Sequence, residues 1–352
     1  MTAEAVAVLE RTASVFGHEL ETRRGVIGGE AIEAAGEPLP EATASAASEA
    51  DAVLLGAVGL PRFDHLPPER RPERGLLDLR RRLGVFANLR PSRTWPSLLD
   101  ASPLKNPVVD GTDLLFVREL TSGIYYGSPR GVSGEGESER AVNTMADTRA
   151  EIERVARVAF DLARSRRRRV TSVDKSNVLE TSQLWRRVVT GVARDYPDVA
   201  LAHLLVDNCA MQIVLNPRQF DVLLTENLFG DILSDEAAVL AGSIGMLASA
   251  SVGAPIRTTP GGEPVRRGLY EPVHGSAPDI AGQGRANPLG AIGSAAALLE
   301  YSFGLRREAA AISGAIDRVV ASGRVTADLH PAGPPATTRE VGQAVCQGIN
   351  RE

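Results

Sequence analysis

The chain has 352 residues, of which 43% are hydrophobic, 24% charged and 4% aromatic, and its formal net charge at pH 7 is −5. This length exceeds what one hydrophobic core usually supports, so we expect a folded protein with two domains. The acidic balance argues against nucleic acid as a partner, because phosphate binding needs concentrated positive charge. The sequence has two cysteines, Cys209 and Cys346, which are too few for a disulfide framework. Their number predicts a protein of the reducing cytoplasm.

Helices and strands are predicted to alternate from the start of the chain. Apolar residues recur at spacings of three and four, which predicts an amphipathic opening helix that carries Val6, Leu9, Ala13, Phe16 and Leu20. A turn-rich segment over 28–40 and a short helix then lead into AVLLGAVG, which has the length of a buried strand. The acidic residues near the N-terminus predict no export, because a secretory signal begins with basic residues.

The alternation continues with one helix and four more strands. The helix is predicted over Ile152 to Ala163, and the strands over Leu114 to Val117, Val170 to Val173, Leu201 to Val206 and Asp221 to Thr225. This order predicts the α/β class with a largely parallel sheet. The charge-free stretch from Ala237 to Ile256 is rich in small residues and contains a proline. We therefore predict a buried helix followed by a loop, and no membrane partner.

Charged and polar side chains follow the predicted strands at the points where they end. They are Arg118, Asp174 with Lys175, Asp207, and Glu226 with Asn227. The carboxyl edge of an α/β sheet is where ligands bind, because side chains there converge on a crevice that the helices leave uncovered. Their mixed signs favour an anionic substrate together with a cation. Solvated loop charge is the alternative, and it explains a single case better than it explains the set.

Two aspartates in FGDILSDEAAVL predict a metal site. Asp231 and Asp235 lie four positions apart at the start of a helix, so their carboxylates share one face. Acidic residues also stabilise a first helical turn through the helix dipole, and this alternative stays open on pattern alone. Like charges repel unless a cation lies between them, and oxygen ligands without His or Cys favour Mg²⁺ or Mn²⁺. Asp207 is a candidate third ligand.

Three arginines with apolar neighbours are candidates for binding a dicarboxylate, because guanidinium forks hold carboxylates in bidentate fashion. They are Arg80, Arg90 and Arg118. Lys175 ends a buried strand, where loss of hydration favours the neutral amine that accepts a proton. The phenol of Tyr125 is a candidate proton donor, although this tyrosine fits a core position equally well.

The segment LYEPVHGSAPDIAGQGRANP is predicted to be a long loop that carries His274, Asp279 and Asn287. Its small residues let a flat ligand approach the backbone. No GxGxxG follows a strand, so the fingerprint of the classical Rossmann fold is absent. The residues of this loop alone do not identify a cofactor.

Four long motifs resemble the isocitrate/isopropylmalate dehydrogenase family of β-decarboxylating dehydrogenases, and the resemblance covers nearly the whole chain. The motifs are VRELTSGIYYG, SVDKSNVLE, FGDILSDEAAVLAGSIGMLASAS and EPVHGSAPDIAGQGRANP. The resemblance implies an isopropylmalate dehydrogenase-like two-domain fold with a discontinuous cofactor-binding domain over 1–94 and 250–352. A domain inserted over 95–249 would carry the substrate and metal residues and the dimer surface.

The resemblance also implies roles for the charged candidates. The substrate carboxylates would be bound by Arg80, Arg90 and Arg118. The metal would be held by Asp231 and Asp235 together with Asp207 of a second subunit, and Asp207 would also contact the substrate.

Two further residues receive proton-transfer roles from the same resemblance. Lys175, again from the second subunit, would take the hydroxyl proton, and Tyr125 would protonate the enol. A homodimer with shared active sites is therefore the expected assembly. The metal would polarise the hydroxyl and then stabilise the enolate that remains when CO2 departs.

The cofactor is expected in the segment LYEPVHGSAPDIAGQGRANP, which we call the Gly/Pro/Ala loop. The residues that the resemblance assigns to it are His274, Gly275, Ser276, Ala277, Asp279 and Asn287. Asp279 would meet the adenosine ribose, where a carboxylate accepts hydrogen bonds from hydroxyls and repels a 2′-phosphate. The expected cofactor is therefore NAD rather than NADP.

The isopropylmalate-type pocket of the family is similar to the segment ERGLLDLR, with Glu73, Leu76 and Leu77 at the pocket positions. Two leucines suit an isopropyl group, because they bury its apolar surface. The expected reaction is oxidation and decarboxylation of 3-isopropylmalate to 4-methyl-2-oxopentanoate and CO2, a step of leucine biosynthesis. Tartrate, malate and homoisocitrate are the competing substrates within the family.

One feature departs from the family pattern. Members usually begin with a buried strand and a GDGIGPE-type loop, whereas this sequence begins with the helix that would follow them. We expect that the start of the sequence is assigned too late. The loss of a core strand would remove more unfolding free energy than the usual total of about 5 to 15 kcal/mol can spare. A shortened, non-catalytic paralogue that retains the dimer surface is the alternative.

Overall fold

The computed structural model describes residues 1–262 and 264–351. They form two compact units, each assembled from separate stretches of the sequence. Unit 1 comprises Met1–Val85, Thr94–Pro103 and Ala238–Glu352, and unit 2 comprises Phe86–Arg93 and Leu104–Ala237.

Unit 1 combines helices with three strands that pair in both directions. Its helices are α1 (Thr2–Phe16), α2 (Gly29–Ala35), α3 (Glu41–Glu49), α4 (Pro72–Leu83), α10 (Leu289–Leu298), α11 (Arg306–Ala321) and α12 (Thr338–Gly348). Its strands are β1 (Ala52–Leu54), β9 (Ala248–Thr258) and β10 (Pro264–Pro272). β10 pairs with β1 in parallel, through Val53 and Leu269, and with β9 in antiparallel fashion. One part of the core packs α4 against these strands and includes Leu55, Leu79 and Leu269.

Unit 2 has the longer run of parallel strands. Its helices are α5 (Asn106–Val109), α6 (Arg149–Arg164), α7 (Glu180–Ala193), α8 (Val206–Leu215) and α9 (Asn227–Ala238). Its strands are β2 (Ala87–Arg93), β3 (Asp113–Glu119), β4 (Arg130–Ser133), β5 (Arg140–Asn143), β6 (Arg169–Asp174), β7 (Ala200–Leu205) and β8 (Val222–Thr225).

Within unit 2 the strand order is β2-β3-β8-β6-β7. The β3–β8, β8–β6 and β6–β7 pairs are parallel, whereas β2 and β3 pair in antiparallel fashion. β4 and β5 form a separate antiparallel hairpin. The predicted α/β class with a largely parallel sheet is confirmed.

Local sequence explains how α6 begins and which face it buries. The Thr148 hydroxyl accepts the backbone N–H of Glu151 at 3.3 Å, and the Glu151 carboxylate accepts the backbone N–H of Thr148 at 2.8 Å. This reciprocal cap satisfies amide groups that have no partner inside the helix. Ile152, Val155 and Ala159 then recur at spacings of three and four and are fully buried, so α6 packs its apolar face on the sheet.

Several predicted element boundaries are wrong. Of the buried strand predicted over AVLLGAVG, the strand itself covers Ala52–Leu54 and is only half-buried. The opening helix ends at Phe16 because Gly17 adopts a left-handed conformation with φ of 82°, and Leu20 therefore lies outside it. The predicted strand over Leu201 to Val206 ends one residue early, since Val206 begins α8. The segment predicted as a loop from Leu269 begins with four residues of β10.

The stretch from Ala237 to Ile256 also differs from its prediction. It contains the end of α9 and two short 3₁₀ turns, and then most of β9 rather than a loop. Pro255 lies in β9 opposite Arg266, next to an irregularity in the β9–β10 register, where a residue without an N–H is tolerated. Across the described parts of the chain, every helix falls short of the length or apolar character of a membrane span.

Candidate active site

Unit 2 brings two arginines and two aspartates together. Arg90 on β2 and Arg118 on β3 are close because these strands pair with Asn88 opposite Arg118 and Arg90 opposite Phe116. Residues at such diagonal positions point to the same face of a sheet. Asp231 and Asp235 are four residues apart on α9, as the sequence predicts. We call Arg90, Arg118, Tyr125, Asp231 and Asp235 the arginine–aspartate cluster.

Each aspartate of the cluster has an arginine partner. Arg90 donates from Nη1 to Asp235 Oδ1 at 2.9 Å, and its Nη2 lies 3.4 Å from Asp231 Oδ1. Arg118 donates from Nη1 to the same oxygen of Asp231. Both arginines are buried, with 9% and 2% of their surface exposed, whereas 55% of the Asp235 side chain is exposed. Asp235 is therefore the open carboxylate of the cluster, whereas Asp231, with 32% of its side chain exposed, is held between the two arginines and Tyr125.

The two carboxyl groups titrate differently. Burial would raise the pKa of Asp231, but Arg118 and the hydrogen bond from Tyr125 outweigh burial and leave this pKa below its ordinary value. Burial and the negative charge of Asp231 raise the pKa of Asp235 above its ordinary value, against the opposing effect of Arg90. Two neighbouring carboxylates cannot ionise equally easily. A cation beside them would favour the ionised form of both.

Tyr125 completes the cluster. It ends a short 3₁₀ turn, Gly123–Tyr125, and its hydroxyl donates to Asp231 Oδ2 at 2.7 Å. Burial and the contact with Asp231 raise the pKa of Tyr125 to about 12. The phenol therefore keeps its proton at neutral pH, which is the state that a proton donor needs. On sequence pattern alone, a core position fits Tyr125 equally well.

Lys175 and Asp207 form a second group, which we call the lysine–aspartate pair. Lys175 Nζ donates to Asp207 Oδ1 at 2.8 Å, and hydrogen bonding to Lys175 lowers the pKa of Asp207. The Asp207 side chain is 63% exposed at the start of α8. Among residues 1–262 and 264–351, no three His, Cys, Asp or Glu side chains approach closely enough to hold a metal ion. Asp207 thus does not join Asp231 and Asp235 within the chain.

The turn that carries Lys175 is anchored by Asp174, which is predicted to end a strand, and by Arg186 and Ser182, which no sequence pattern indicates. Arg186 donates to both carboxylate oxygens of Asp174, at 2.8 and 2.9 Å, and Asp174 accepts the backbone N–H of Ser176 at 3.0 Å. The backbone N–H of Lys175 donates to the Ser182 hydroxyl at 3.0 Å. Asp174 is buried, so this charged pair fixes the end of β6.

Arg80 and the predicted pocket residues lie in unit 1. Arg80 is buried on α4 and donates from Nη2 to Glu271 Oε1 on β10 at 2.6 Å. Leu76 packs partly against the core, Leu77 is half-buried, and Glu73 is exposed. Glu271 is a partner that the sequence analysis missed, because the pair joins positions separated by 191 residues.

The Gly/Pro/Ala loop of unit 1 has an exposed part and a buried end. Gly275, Ser276, Ala277 and Asp279 are exposed, and the Ser276 hydroxyl donates to the Gly59 carbonyl at 2.6 Å. By contrast, Asn287 is buried. Its amide donates to Asp328 at 3.1 Å and its Oδ1 accepts the backbone N–H of Leu289 at the start of α10. Both ends of this amide therefore support the scaffold.

The residues present fit a divalent metal and a nucleotide. The cluster offers carboxylate oxygens without nitrogen or sulfur ligands, which is the donor chemistry of Mg²⁺ and Mn²⁺. In the loop, His274 Nδ1 lies 2.9 Å from the Gly275 carbonyl, and its Nε2 is buried without a partner in the described chain. An orphaned ring nitrogen beside an exposed glycine-containing segment fits a polar ligand.

Behind the cluster, Glu226 is a buried acid at the start of α9. Its carboxylate accepts the backbone N–H groups of Leu228 at 3.2 Å and Phe229 at 2.8 Å. Burial raises its pKa to about 7, these N–H groups oppose the shift, and nearby Asp147 adds to it. Arg118 on β3 is the cation that faces it.

This raised pKa predicts a stability change with pH. The folded state holds the Glu226 proton more tightly than the unfolded state, so the stabilisation is complete below pH 4.5 and is lost as pH rises through about 7. Wild type is expected to lose about 3 kcal/mol of unfolding free energy relative to Glu226→Gln between these pH values. Urea unfolding of both proteins across this range tests it, with Glu137→Gln at an exposed site as the control. A constant difference between wild type and Glu226→Gln contradicts it.

Comparisons with known proteins agree with this geometry. The model of the isocitrate/isopropylmalate dehydrogenase family matches residues 1–345. The chain belongs to this family. It is 53% identical to 3-isopropylmalate dehydrogenase of Halalkalibacterium halodurans, over 99% of this chain and 94% of that protein. It is 50% identical to 3-isopropylmalate dehydrogenase of Aquifex aeolicus, over 99% of this chain and 93% of that protein.

Solved structures give the same family. The crystal structure of isocitrate dehydrogenase from Methylococcus capsulatus is similar with a TM-score of 0.85 at 34% identity, over 100% of this chain and 95% of that one. A β-decarboxylating dehydrogenase from Thermococcus kodakarensis is similar with a TM-score of 0.74 at 35% identity, over 98% of this chain and 92% of that one. The resemblance stated from four motifs is confirmed, and the chain is an oxidoreductase of the isocitrate/isopropylmalate dehydrogenase family.

Proposed function

We propose that this chain oxidises and decarboxylates 3-isopropylmalate to 4-methyl-2-oxopentanoate and CO2, with NAD as the hydride acceptor and Mg²⁺ or Mn²⁺ bound. One observation carries the proposal. Two buried arginine forks and two aspartates meet on one face of unit 2, in a chain at least 50% identical to curated 3-isopropylmalate dehydrogenases. Such a face offers cations to substrate carboxylates and anions to a metal.

Within this proposal, Arg90 and Arg118 each bind a carboxylate of the substrate. Arg80 is the third proposed carboxylate ligand, carried over from the family motif. Glu73, Leu76 and Leu77 are proposed to select the isopropyl group on the same basis. Apolar burial of that group on two leucines would contribute about 0.8 kcal/mol per methylene-sized unit.

The proposed metal site needs a second copy of the chain. Asp231 and Asp235 come from one copy, and the lysine–aspartate pair of the other supplies Asp207. A bound dication would polarise the substrate hydroxyl and stabilise the enolate.

Exposed apolar side chains on two helices support this assembly. On α8, Met211, Val214 and Leu215 are 56%, 38% and 66% exposed and follow Asp207 at helical spacing. On α9, Ile232 is 60% exposed beside Asp231. Large apolar side chains exposed next to both sets of carboxylates are typical of surfaces that a partner covers. We therefore propose a homodimer in which each site takes residues from both copies.

The chain's own groups are proposed to move the protons. Lys175 Nζ of one copy takes the hydroxyl proton as the alcohol is oxidised. Tyr125 Oη of the other copy, held on Asp231 and protonated at neutral pH, delivers a proton to the carbon that loses CO2.

The exposed loop of unit 1 is the proposed NAD site. The backbone would come close to the dinucleotide at Gly275, Ser276 and Ala277. His274 and Asn287 lie at the two ends of this loop. Asp279, exposed in a short turn, would accept from the adenosine ribose and repel a 2′-phosphate. We further propose that unit 1 and unit 2 correspond to the domains over 1–94 with 250–352 and over 95–249, and that the protein works in the cytoplasm.

The proposal is tested by NADH formation with purified protein, Mg²⁺ and four 2-hydroxy acids. The acids are 3-isopropylmalate, isocitrate, malate and tartrate, and 3-isopropylmalate is expected to give the highest kcat/KM. Adding EDTA is expected to stop turnover, and NADP is expected to replace NAD poorly. A higher kcat/KM with another acid contradicts the proposed substrate. If none of the four acids gives NADH, the result favours the shortened, non-catalytic paralogue.

A further inference from the structure

Asn227 makes an unusual contact with one of the substrate arginines. Its Oδ1 accepts from both Nε and Nη2 of Arg118, at 3.1 and 2.8 Å. The two residues are 109 positions apart, with Asn227 at the start of α9 and Arg118 on β3. Both are buried, with 1% and 2% of their surface exposed. The contact fixes one edge of the guanidinium plane, and Nη1 then reaches Asp231.

The amide of Asn227 is itself held in one orientation. Its Nδ2 donates to the Ser122 carbonyl at 3.0 Å, which leaves Oδ1 facing Arg118. A carbonyl oxygen accepts but does not donate, so the opposite orientation of the amide would place two oxygens together. The position of Ser122 is in turn fixed by Glu119, which accepts its backbone N–H at 2.7 Å.

The stem of Arg118 is confined from the other side. A Cβ added at Gly230 on α9 would lie 2.8 Å from Arg118 Cγ and 2.9 Å from Arg118 Cβ. These distances are shorter than side chains tolerate, so the helix approaches the arginine closely only because this position is glycine. Asn227 and Gly230 thus hold the head and stem of the same side chain.

A neutral acceptor at this position also has an electrostatic consequence. An amide oxygen orients the guanidinium without cancelling its charge, whereas a carboxylate there would add a second anion beside Asp231. Arg118 therefore keeps positive charge for an anionic ligand. A fork oriented before the ligand arrives binds more tightly, because less rotamer entropy is lost on binding.

We propose that Asn227 is a positioning residue, which sets the direction of the Arg118 guanidinium towards a carboxylate of the substrate. This inference rests on the proposed function, since that function assigns Arg118 to the substrate. The sequence pattern predicts Asn227 at the end of a strand and gives it no role.

The inference predicts a selective loss of substrate affinity. Asn227→Ala is expected to raise KM for the acid substrate about tenfold while kcat and KM for NAD change less than about threefold, because a bond to a charged donor is lost. Asn227→Asp is expected to weaken binding of the acid substrate as well, since the new carboxylate offsets the charge of Arg118. Asn106→Ala, at an exposed asparagine of the same unit, is the matched control and is expected to match wild type.

A double-mutant cycle separates positioning from general structural support. Titration calorimetry with Mn²⁺ measures the Kd of the acid for wild type, Asn227→Ala, Arg118→Ala and the double variant. The Asn227 substitution is expected to weaken binding about tenfold in the wild-type background and less than about twofold when Arg118 is already alanine. An equal loss in both backgrounds, or no loss in either, overturns the inference.

The ligand in this cycle is whichever of 3-isopropylmalate, isocitrate, malate and tartrate binds wild type most tightly. If that ligand is not 3-isopropylmalate, the proposed function fails while the cycle still tests Asn227. If 3-isopropylmalate binds most tightly and the two backgrounds respond equally, the proposed function survives and the inference fails.

Discussion

A chain carrying Lys175→Ala is expected to lose turnover by about 10²–10⁴-fold, which is the usual contribution of a positioned proton acceptor. Lys175 is half-exposed and contacts Asp207 rather than the core, so the fold and the oligomeric state are expected to survive. Steady-state NADH formation measures the loss. Circular dichroism and sedimentation check that the protein is otherwise unchanged.

The sequence offers a matched control, because Lys105 and Lys175 are its two lysines. Lys105 is exposed at the start of α5, and Lys105→Ala is expected to retain wild-type kcat. Lys175→Arg keeps a cation near Asp207 but cannot act as a base at neutral pH, so it is expected to fail as completely as alanine. Activity near wild type in Lys175→Arg would leave only a charge-pairing role for this residue.

Mixing two inactive variants is expected to restore activity. Lys175→Ala damages the lysine–aspartate pair and Arg118→Ala damages the arginine–aspartate cluster, so each homodimer has two defective sites. In a mixed dimer of two-fold symmetry, one site collects both defects and the other collects neither. After the two variants are unfolded together and refolded in equal amounts, activity is expected to reach about a quarter of that of wild type treated identically.

This experiment has a stringent control. Lys175→Ala mixed with Asp207→Ala carries both defects in the same half of the site, and no mixed dimer then contains an intact site. This mixture is expected to stay inactive. Equal recovery in both mixtures, or recovery in neither while wild type refolds, would contradict a site built from two copies.

The parts of the site that depend on local pattern were predictable from the sequence. A helix places positions four apart on one face, and Asp231 and Asp235 do share an arginine-lined face of α9. Parallel strands end at one edge of a sheet, which is why Arg118 and Asn227, at the ends of β3 and β8, come into contact.

The partners of these residues were not predictable, because they depend on contacts between distant positions. Nothing near Arg80 in the sequence indicates Glu271, and nothing near Asp174 indicates that a helix would bring Arg186 to it. The strand β9 was missed for a related reason. Its Ser, Gly and Pro residues have low strand propensity, and its pairing with β10 overrides that preference.

The separation of unit 1 along the sequence has a consequence for how the chain folds during synthesis. Helix α1 packs against α10, α11 and α12, and Gly342 on α12 lies so close to Glu4 that an added Cβ would overlap it. The part of the apolar face of α1 that α12 covers must therefore wait until Thr338–Gly348 has been synthesised. The residues of unit 2 have all emerged by Ala237 and can pair their strands earlier. A nascent chain arrested before Thr338 already carries α10 and α11 but lacks α12, and it is thus expected to expose the side of α1 that faces α12 to chaperones.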